Sequence, residues 1–537
     1  MRGLWKKLPG MEYLAGAGAG VAVAAVAFVL YFRTLAPTML YYDPAGMYDS
    51  VMLQVKAHVL GIPNPTGYPT YIMISHLFTY LPWANVGWRV NLVSAVFAAL
   101  AVLAVYFICK ALTGRVVPAV AAAFLFAVSR EFWTQAVIAE VYTMSAFFIA
   151  LDILVLLVWH KTREDKYLLL FAFLMGLTMT NHMTSGLVLP AAAVLIALTD
   201  WRKLVEWRLV LKGTGLFLVG LLPYLYLPIR SAMNPPLDDA QPHTLGNFLT
   251  LVTGSNFESR MFAFGMDEMP ARLGLYADFL ANQFNPLLLI VAALGAFYLA
   301  YKREVAVLAM FTFLFVGWLV YALGYNIRDV YIYFIPTYLI LCFFIAVGFG
   351  NLMDVAQPRL SRLRVAPRVA GLAVVAAFLF VLPFSGFAKA YGQVDMSGNL
   401  HGLHTMNAVI ENVEEDATVM HRSGVMWYMD HVTDHRPDIN VVDPFPRGSW
   451  QAESPFWTDA AEENIKDGRR VYILFPSGTA EANEDLFHSA GYHLLEHETG
   501  MFYEVVARQR AADGETMLPA AEEEGAEEEG DPLEDRA

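Results

Sequence analysis

The chain has 537 residues, of which 57% are hydrophobic and 16% charged, with a mean hydropathy of +0.45. That balance excludes an ordinary soluble enzyme and points to an integral membrane protein. The net charge of −14 is concentrated: residues 511–537 hold eleven acidic side chains against one arginine, which is ten of those charges, and no nucleic-acid partner is expected.

Apolar runs long enough to cross a bilayer core recur along the first 387 positions. Eleven are read, at 13–33, 89–109, 116–132, 141–160, 167–180, 184–200, 209–228, 285–301, 305–324, 330–350 and 368–387, the fifth and sixth being short. A span in lipid must satisfy its own backbone hydrogen bonds, so each is predicted to be a helix. The first could be taken for a signal peptide, but it is longer than a typical h-region and ends in Tyr31-Phe32-Arg33 without a small-x-small site. It is read as an anchor.

Basic residues orient these spans. Arg2, Lys6 and Lys7 precede the first, and clusters follow at Lys110/Arg115, Lys161/Arg163/Lys166, Arg202/Lys203/Arg208/Lys212, Lys302/Arg303 and Arg359/Arg362/Arg364/Arg368. With eleven spans all of them fall on the side of the N-terminus, which the positive-inside bias makes cytoplasmic. The expectation is a multi-pass cell-membrane protein with loops 34–88, 133–140, 181–183, 229–284 and 325–329 outward, as is everything after 387.

The predicted organisation is a polytopic all-α membrane domain (1–387), an extracytoplasmic α/β domain (388–510) and a disordered acidic tail (511–537). In the second, short β-branched runs at 417–421, 439–443 and 469–475 alternate with helical stretches near 401–413, 425–434 and 480–490. That alternation predicts a small layered domain with a parallel sheet. No Gly-rich phosphate loop follows any of these strands, and the domain is assigned no catalysis. The tail lacks apolar periodicity and reads as a solvated terminus. Cys109 and Cys342 lie in predicted spans and suggest neither a disulfide framework nor a zinc motif.

Chemistry concentrates in the outward loops. The stretch Asp43–Tyr71 holds Asp43, Asp49, Lys56 and His58 ahead of a turn containing Pro65, Gly67, Tyr68 and Pro69. Glu140 and Tyr142 lie in FWTQAVIAEVY, Asn181 and His182 in TNHMTS, Arg230 in YLPIRSAMNPPLDD, and Arg328 and Asp329 in YNIRDVYIYFIP. Ionisable groups at a membrane face call for a functional reason, and one shared outward site accounts for them together. Carboxylates beside Arg and His suit a reaction in which a hydroxyl loses its proton to a general base while cations offset charge on a departing phosphate. A lipid-linked phosphosugar fits such a site, because its tail stays in the bilayer while its headgroup reaches the surface.

The string LGIPNPTGYPTYIMISHLFTYLPWANVGWRVNLVSAVF, with AEVY at 139–142, the Asn-His pair at 181–182, YLPIRSAMNPPL at 226–237 and YNIRDVYIYFIPTYL at 325–339, resembles the membrane glycosyltransferases related to transmembrane protein 260. The similarity covers about residues 12–350 and continues weakly through RPDINVVD at 436–443. It implies a GT-C membrane fold, a polyprenyl-phosphate-sugar donor and a hydroxyl-bearing acceptor on protein, glycan or lipid; in the animal relative, mannose goes to protein hydroxyls. Three departures stand out: Asn64 replaces the family's His and Thr66 a Pro, Met183 replaces a second His, and Val51-Met52 replaces Gly-Glu after Asp49-Ser50. Counting back from Gly61 aligns Asp49 with the catalytic carboxylate, whereas counting forward from Leu35 aligns Asp43.

Each candidate also has a plainer reading. Asp43 or Asp49 would cap a short helix, Arg230 would anchor at the interface, and Glu140 and Asp329 would pair with Arg130 and Arg328. The expected catalytic residue is Asp49 or Asp43, with His182, Asn181, Arg230, Glu140, Tyr142, Tyr68, Asp329 and Arg328 binding substrate. No cofactor is expected; a carboxylate pair leaves room for a divalent cation without arguing for one. The rival reading is a transporter or flippase of lipid-linked sugars, whose usual signature of internal repeats with interrupted helices and midplane charges is not found.

Overall fold

The computed structural model describes residues 11–238, 240–360, 362, 381, 387–445, 453–476 and 478–507. The expected eleventh span lies almost wholly, and the acidic tail wholly, outside them. Two compact units result: one from the described residues up to Ile410 with Ser423–Arg436, the other from Glu411–Arg422 and the described residues from Pro437 on. The sequence boundary at 388 and this division differ. Residues 387–394 pack on the helical unit through Phe387 and Tyr391, whose rings lie 5.5 and 5.7 Å from that of Trp133. Tyr428 joins it too, its hydroxyl accepting from the Gly87 amide at 2.9 Å.

The helical unit opens with α1 (Met11–Arg33), followed by two short helices, α2 (Asp49–Val59) and α3 (Pro69–Phe78), before the long α4 (Val86–Thr113). Helix α4 starts where Asn85 accepts from the Trp88 amide and stops at Gly114, whose φ of 68° closes the last turn. Next come α5 (Val116–Ala127), α6 (Arg130–Ala136), α7 (Tyr142–Thr162), α8 (Asp165–Asn181) and, after a 3-10 turn, α9 (Val188–Asp200).

Among the described residues six helices are long and apolar enough to cross a membrane, or up to nine if each bent pair is one span. The bent pairs are where straight spans were expected at 116–132, 209–228 and 285–301. Helix α5 turns 67° into α6, Trp207–Gly220 turns 41° into Leu222–Ser231, and Met269–Gln283 turns 101° into Pro286–Tyr301. The sharpest corner has a local cause. Phe284 is extended, Asn285 caps the new helix, and Pro286 occupies its first turn. The expected span at 167–180 is the 17-residue α8.

Lipid offers no hydrophobic gain between helices, so close packing needs small residues. Gly176 of α8 and Gly220 meet so tightly that a Cβ on either would collide with the other helix's backbone, at Phe217 and Phe173. Gly295 and Gly348 lock Pro286–Tyr301 against Ile335–Leu360 in the same way, against Phe344 and Val291. Trp133, Trp159 and Trp318 are fully buried, and Trp133 donates from Nε1 to Thr34 Oγ1 at 2.9 Å.

The second unit holds a five-stranded sheet of β1 (Thr418–His421), β2 (Asn440–Val442), β3 (Val471–Leu474), β4 (Tyr492–Glu496) and β5 (Tyr503–Ala507), in the order β2-β1-β3-β5-β4. The first three are parallel, with Val419 opposite Val441 and Tyr472, as the β-branched runs predict. The last two form an antiparallel hairpin that makes the sheet mixed. They escaped the sequence reading because YHLLE and YEVVA carry charges inside short runs. Trp457 at the core is packed by Phe445 and Phe475.

Candidate functional site

Helix α2 begins at Asp49 and ends where Leu60 turns left-handed ahead of Gly61. Its residues i, i+3, i+4 and i+7, namely Asp49, Met52, Leu53 and Lys56, face a cavity of about 500 Å³. The chain then folds back through the turn, where Gly67 has a φ of 92°, and brings Asn64 and Tyr68 to the same cavity. Asn64 Nδ2 donates to Asp49 Oδ1 at 3.2 Å, and Lys56 Nζ donates to Asn64 Oδ1 at 3.3 Å.

The other walls come from loops far apart in sequence. Glu140, between α6 and α7, is fixed by Ser94, whose Oγ accepts from its amide and donates to its carbonyl, both at 3.1 Å. His182, at the end of α8, bonds Thr184 Oγ1 through Nδ1 at 2.7 Å. Its ring stacks on Tyr68 at 5.7 Å and lies 5.5 and 6.1 Å from the rings of Tyr142 and Tyr333. Arg328 and Asp329 close one side; Thr253, Phe257 and Arg260 close another.

Four carboxyl groups influence one another here. Burial, together with Asp49 and Asp329, lifts Asp43 to about 7. Burial and Asp49 lift Asp329 to about 6. Glu140 is held well above the usual carboxylate range by burial and then by Asp49, Asp43 and Asp329. Burial raises Asp49 as well, but Lys56 and Asn64 pull it down. Burial drives the His182 imidazole down to about 4, so near neutral pH the ring is uncharged and offers stacking and hydrogen bonding, not a positive charge.

Seven of the ten residues singled out from sequence therefore line one cavity: Asp49, Tyr68, Glu140, Tyr142, His182, Arg328 and Asp329. Three do not. Asp43 Oδ1 accepts from the amides of Ala45 and Met47 at 2.8 and 3.0 Å, a turn-forming arrangement. Arg230 donates to the carbonyls of Val59 and Leu60 at the end of α2. Asn181, fully buried, donates to the Val141 carbonyl at 3.3 Å. Sequence reasoning passed over Arg260, whose segment SNFESR has no motif, and left Lys56 without a role. Among the described residues no group of three or more His, Cys, Asp or Glu side chains converges as a metal site.

The chain is similar to several known proteins. A family model described as the protein O-mannosyl-transferase TMEM260 N-terminal domain matches residues 49–205, a range that starts at Asp49. The protein O-mannosyl-transferase TMEM260 of Mus musculus is 30% identical over 221 residues, 40% of this chain and 30% of its own length. Its Dictyostelium discoideum counterpart is 24% identical over 233 residues, 40% of this chain and 28% of its own. The matched part thus spans less than a third of either relative. Among solved structures, ArnT from Cupriavidus metallidurans in the apo state superposes with a TM-score of 0.57 at 13% identity, covering 91% of this chain and 98% of that one. The apo oligosaccharyltransferase of Archaeoglobus fulgidus gives 0.52 at 13% identity, covering 91% and 74%. The chain shares the overall fold of these two structures. None of these proteins is described as a transporter.

Proposed function

We propose that this protein is a membrane glycosyltransferase that moves a sugar from a polyprenyl-phosphate carrier to an acceptor hydroxyl at the extracytoplasmic face, with Asp49 as general base. One observation carries the reading. The cavity that holds these charged side chains abuts an apolar groove of about 810 Å³ lined by Val194 of α9 and by Val305, Phe313 and Val316, and Leu187 and Tyr321 line both. A donor with an isoprenoid tail and a charged headgroup divides between two such environments, the tail in the groove and the phosphate at the cavity mouth.

Asp49 takes the proton of the acceptor hydroxyl as its oxygen bonds to the anomeric carbon of the sugar. The bond from that carbon to the phosphate oxygen breaks, and polyprenyl phosphate leaves with the electron pair. Arg260 and Arg328 offset the charge on the leaving phosphate. Tyr68, Tyr142, Tyr333 and the neutral His182 form the platform for the sugar ring. The phosphate role foreseen for Arg230 and His182 passes to these arginines, because Arg230 is engaged at the end of α2 and His182 is uncharged. A base whose proton affinity lies near the working pH is the favourable case, and burial moves Asp49 in that direction.

The relatives, protein O-mannosyl-transferases by name, favour mannose as the sugar and protein hydroxyls as the acceptor. ArnT from Cupriavidus metallidurans has also been solved bound to undecaprenyl phosphate, at a TM-score of 0.55, and a carrier of that kind is what the proposed transfer would release. The test is transfer from synthetic polyprenyl-phosphate mannose by the purified full chain, offered a Ser/Thr peptide, an oligosaccharide or a lipid acceptor in parallel. Release of polyprenyl phosphate coupled to sugar on one acceptor is expected. No release with any of the three would refute the assignment for this donor.

A further inference from the structure

Lys56 is 1% exposed, a degree of burial that lysine rarely shows without a partner. It sits two turns after Asp49 on the same face of α2, and Asn64 lies between the two groups. The direction of these bonds is fixed by chemistry. An ammonium only donates and a carboxylate only accepts, so the Asn64 amide must present its oxygen to Lys56 and its nitrogen to Asp49. With an ammonium at one end and a carboxylate at the other, both of these hydrogen bonds are charge-assisted.

We propose that Lys56, acting through Asn64, is a positioning residue that keeps Asp49 ionised and leaves its second carboxylate oxygen for the acceptor hydroxyl. The inference rests on the general-base reading of Asp49 and adds how that base is held. The need comes from the surroundings: Asp43 precedes α2, and Glu140, Asp329 and Tyr68 face it from three other segments. Arg260 and Arg328 line the same cavity, and Lys56, two turns along α2 from Asp49, lowers its proton affinity against the effect of burial.

The experiment measures kcat and donor KM against pH for the full chain with synthetic polyprenyl-phosphate mannose. Lys56→Met should move the acidic limb of the kcat profile upward by about one pH unit, a roughly ten-fold loss below the limb, with recovery at alkaline pH. Donor KM should hold, and Lys56→Arg should restore much of the profile. Asn64→Leu, at an exposed position, should shift the limb the same way and decides the matter if Lys56→Met does not fold. An unmoved limb overturns the proposal, and an unmoved limb with a raised donor KM makes Lys56 a phosphate contact. If Asp49→Asn itself transfers sugar at the wild-type rate, the base reading fails, and that outcome is separate from a failure of the relay.

Discussion

Arg230 donates through Nε to the carbonyl oxygen of Leu60 at 2.9 Å, joining residues 170 positions apart, while its Nη2 takes Val59 at 3.0 Å. A helix end leaves carbonyls without partners, and here a distant guanidinium supplies the donors. Arg230→Ala should therefore lower stability by about 1–3 kcal/mol, the cost of charged hydrogen bonds to partly buried acceptors. Donor KM in the surviving folded protein should be unchanged. A raised KM with an unaltered melting midpoint would return Arg230 to phosphate binding.

The two aspartates separate in the same assay. Asp49→Asn keeps size but removes basicity, so turnover should fall by roughly 100-fold or more, the scale of general-base catalysis. Asp43→Asn retains the oxygen that accepts from Ala45 and Met47 and should cost no more than about three-fold, as a mild change in a turn does. A larger loss from Asp43→Asn than from Asp49→Asn would reverse the assignment.

Some of this was legible in the sequence, and the limits have physical causes. Long apolar runs announce α4, α7 and Val305–Gly324 because bilayer thickness sets their length. The bends do not announce themselves, since a short helix such as Met269–Gln283 has the same residues whether it continues a span or lies across one. Asp49, Glu140 and Asp329 were visible because carboxylates are sparse around the apolar spans. Arg260 was not, because only the folded loop brings it to the cavity. The bonds of Arg230 to Val59 and Leu60 were not legible, because its partners lie far away in sequence. The turn role of Asp43 was readable in Asp43-Pro44-Ala45-Gly46, a common turn composition.

Orientation can be tested with cysteine labelling. Cys109 and Cys342 are buried, so introduced thiols give clean signals. Met266, 86% exposed, lies in the loop assigned to the outside, and Glu164 is exposed between α7 and α8 on the side assigned to the cytoplasm. Met266→Cys should react with an impermeant maleimide in intact cells, and Glu164→Cys only after permeabilisation. The opposite pattern would place the cavity on the wrong face for the proposed chemistry.

The raised carboxyls make stability depend on pH. Asp43 at about 7 and Asp329 at about 6, both from 3.8, bind protons more tightly in the folded state. Their contribution is fully present below the unfolded value and is lost as pH rises through the folded values. The melting midpoint should thus fall between about pH 4 and pH 7, by at least ~2 °C. The double variant Asp43→Asn/Asp329→Asn should flatten that slope, and an unaltered slope would refute the assignment.

The groove makes a length-dependent prediction. Val316 is 47% exposed and lines it. Val316→Trp should raise KM about ten-fold for a long-chain donor, since a few buried methylenes account for that much affinity. A short-chain analogue should be unaffected. Equal effects on both would remove the groove from donor binding.

The glycine contacts divide the helices into two kinds of seam. Where Gly176 meets Gly220, and Gly295 meets Gly348, backbone rests on backbone and neither helix can rotate without collision. Gly317, on Val305–Gly324, is different: a Cβ there would meet only the flexible end of Leu187, in the turn ahead of α9, at 3.8 Å. The four close-packed glycines lie away from the residues that line the groove. A tail held in the groove would therefore leave both glycine seams undisturbed.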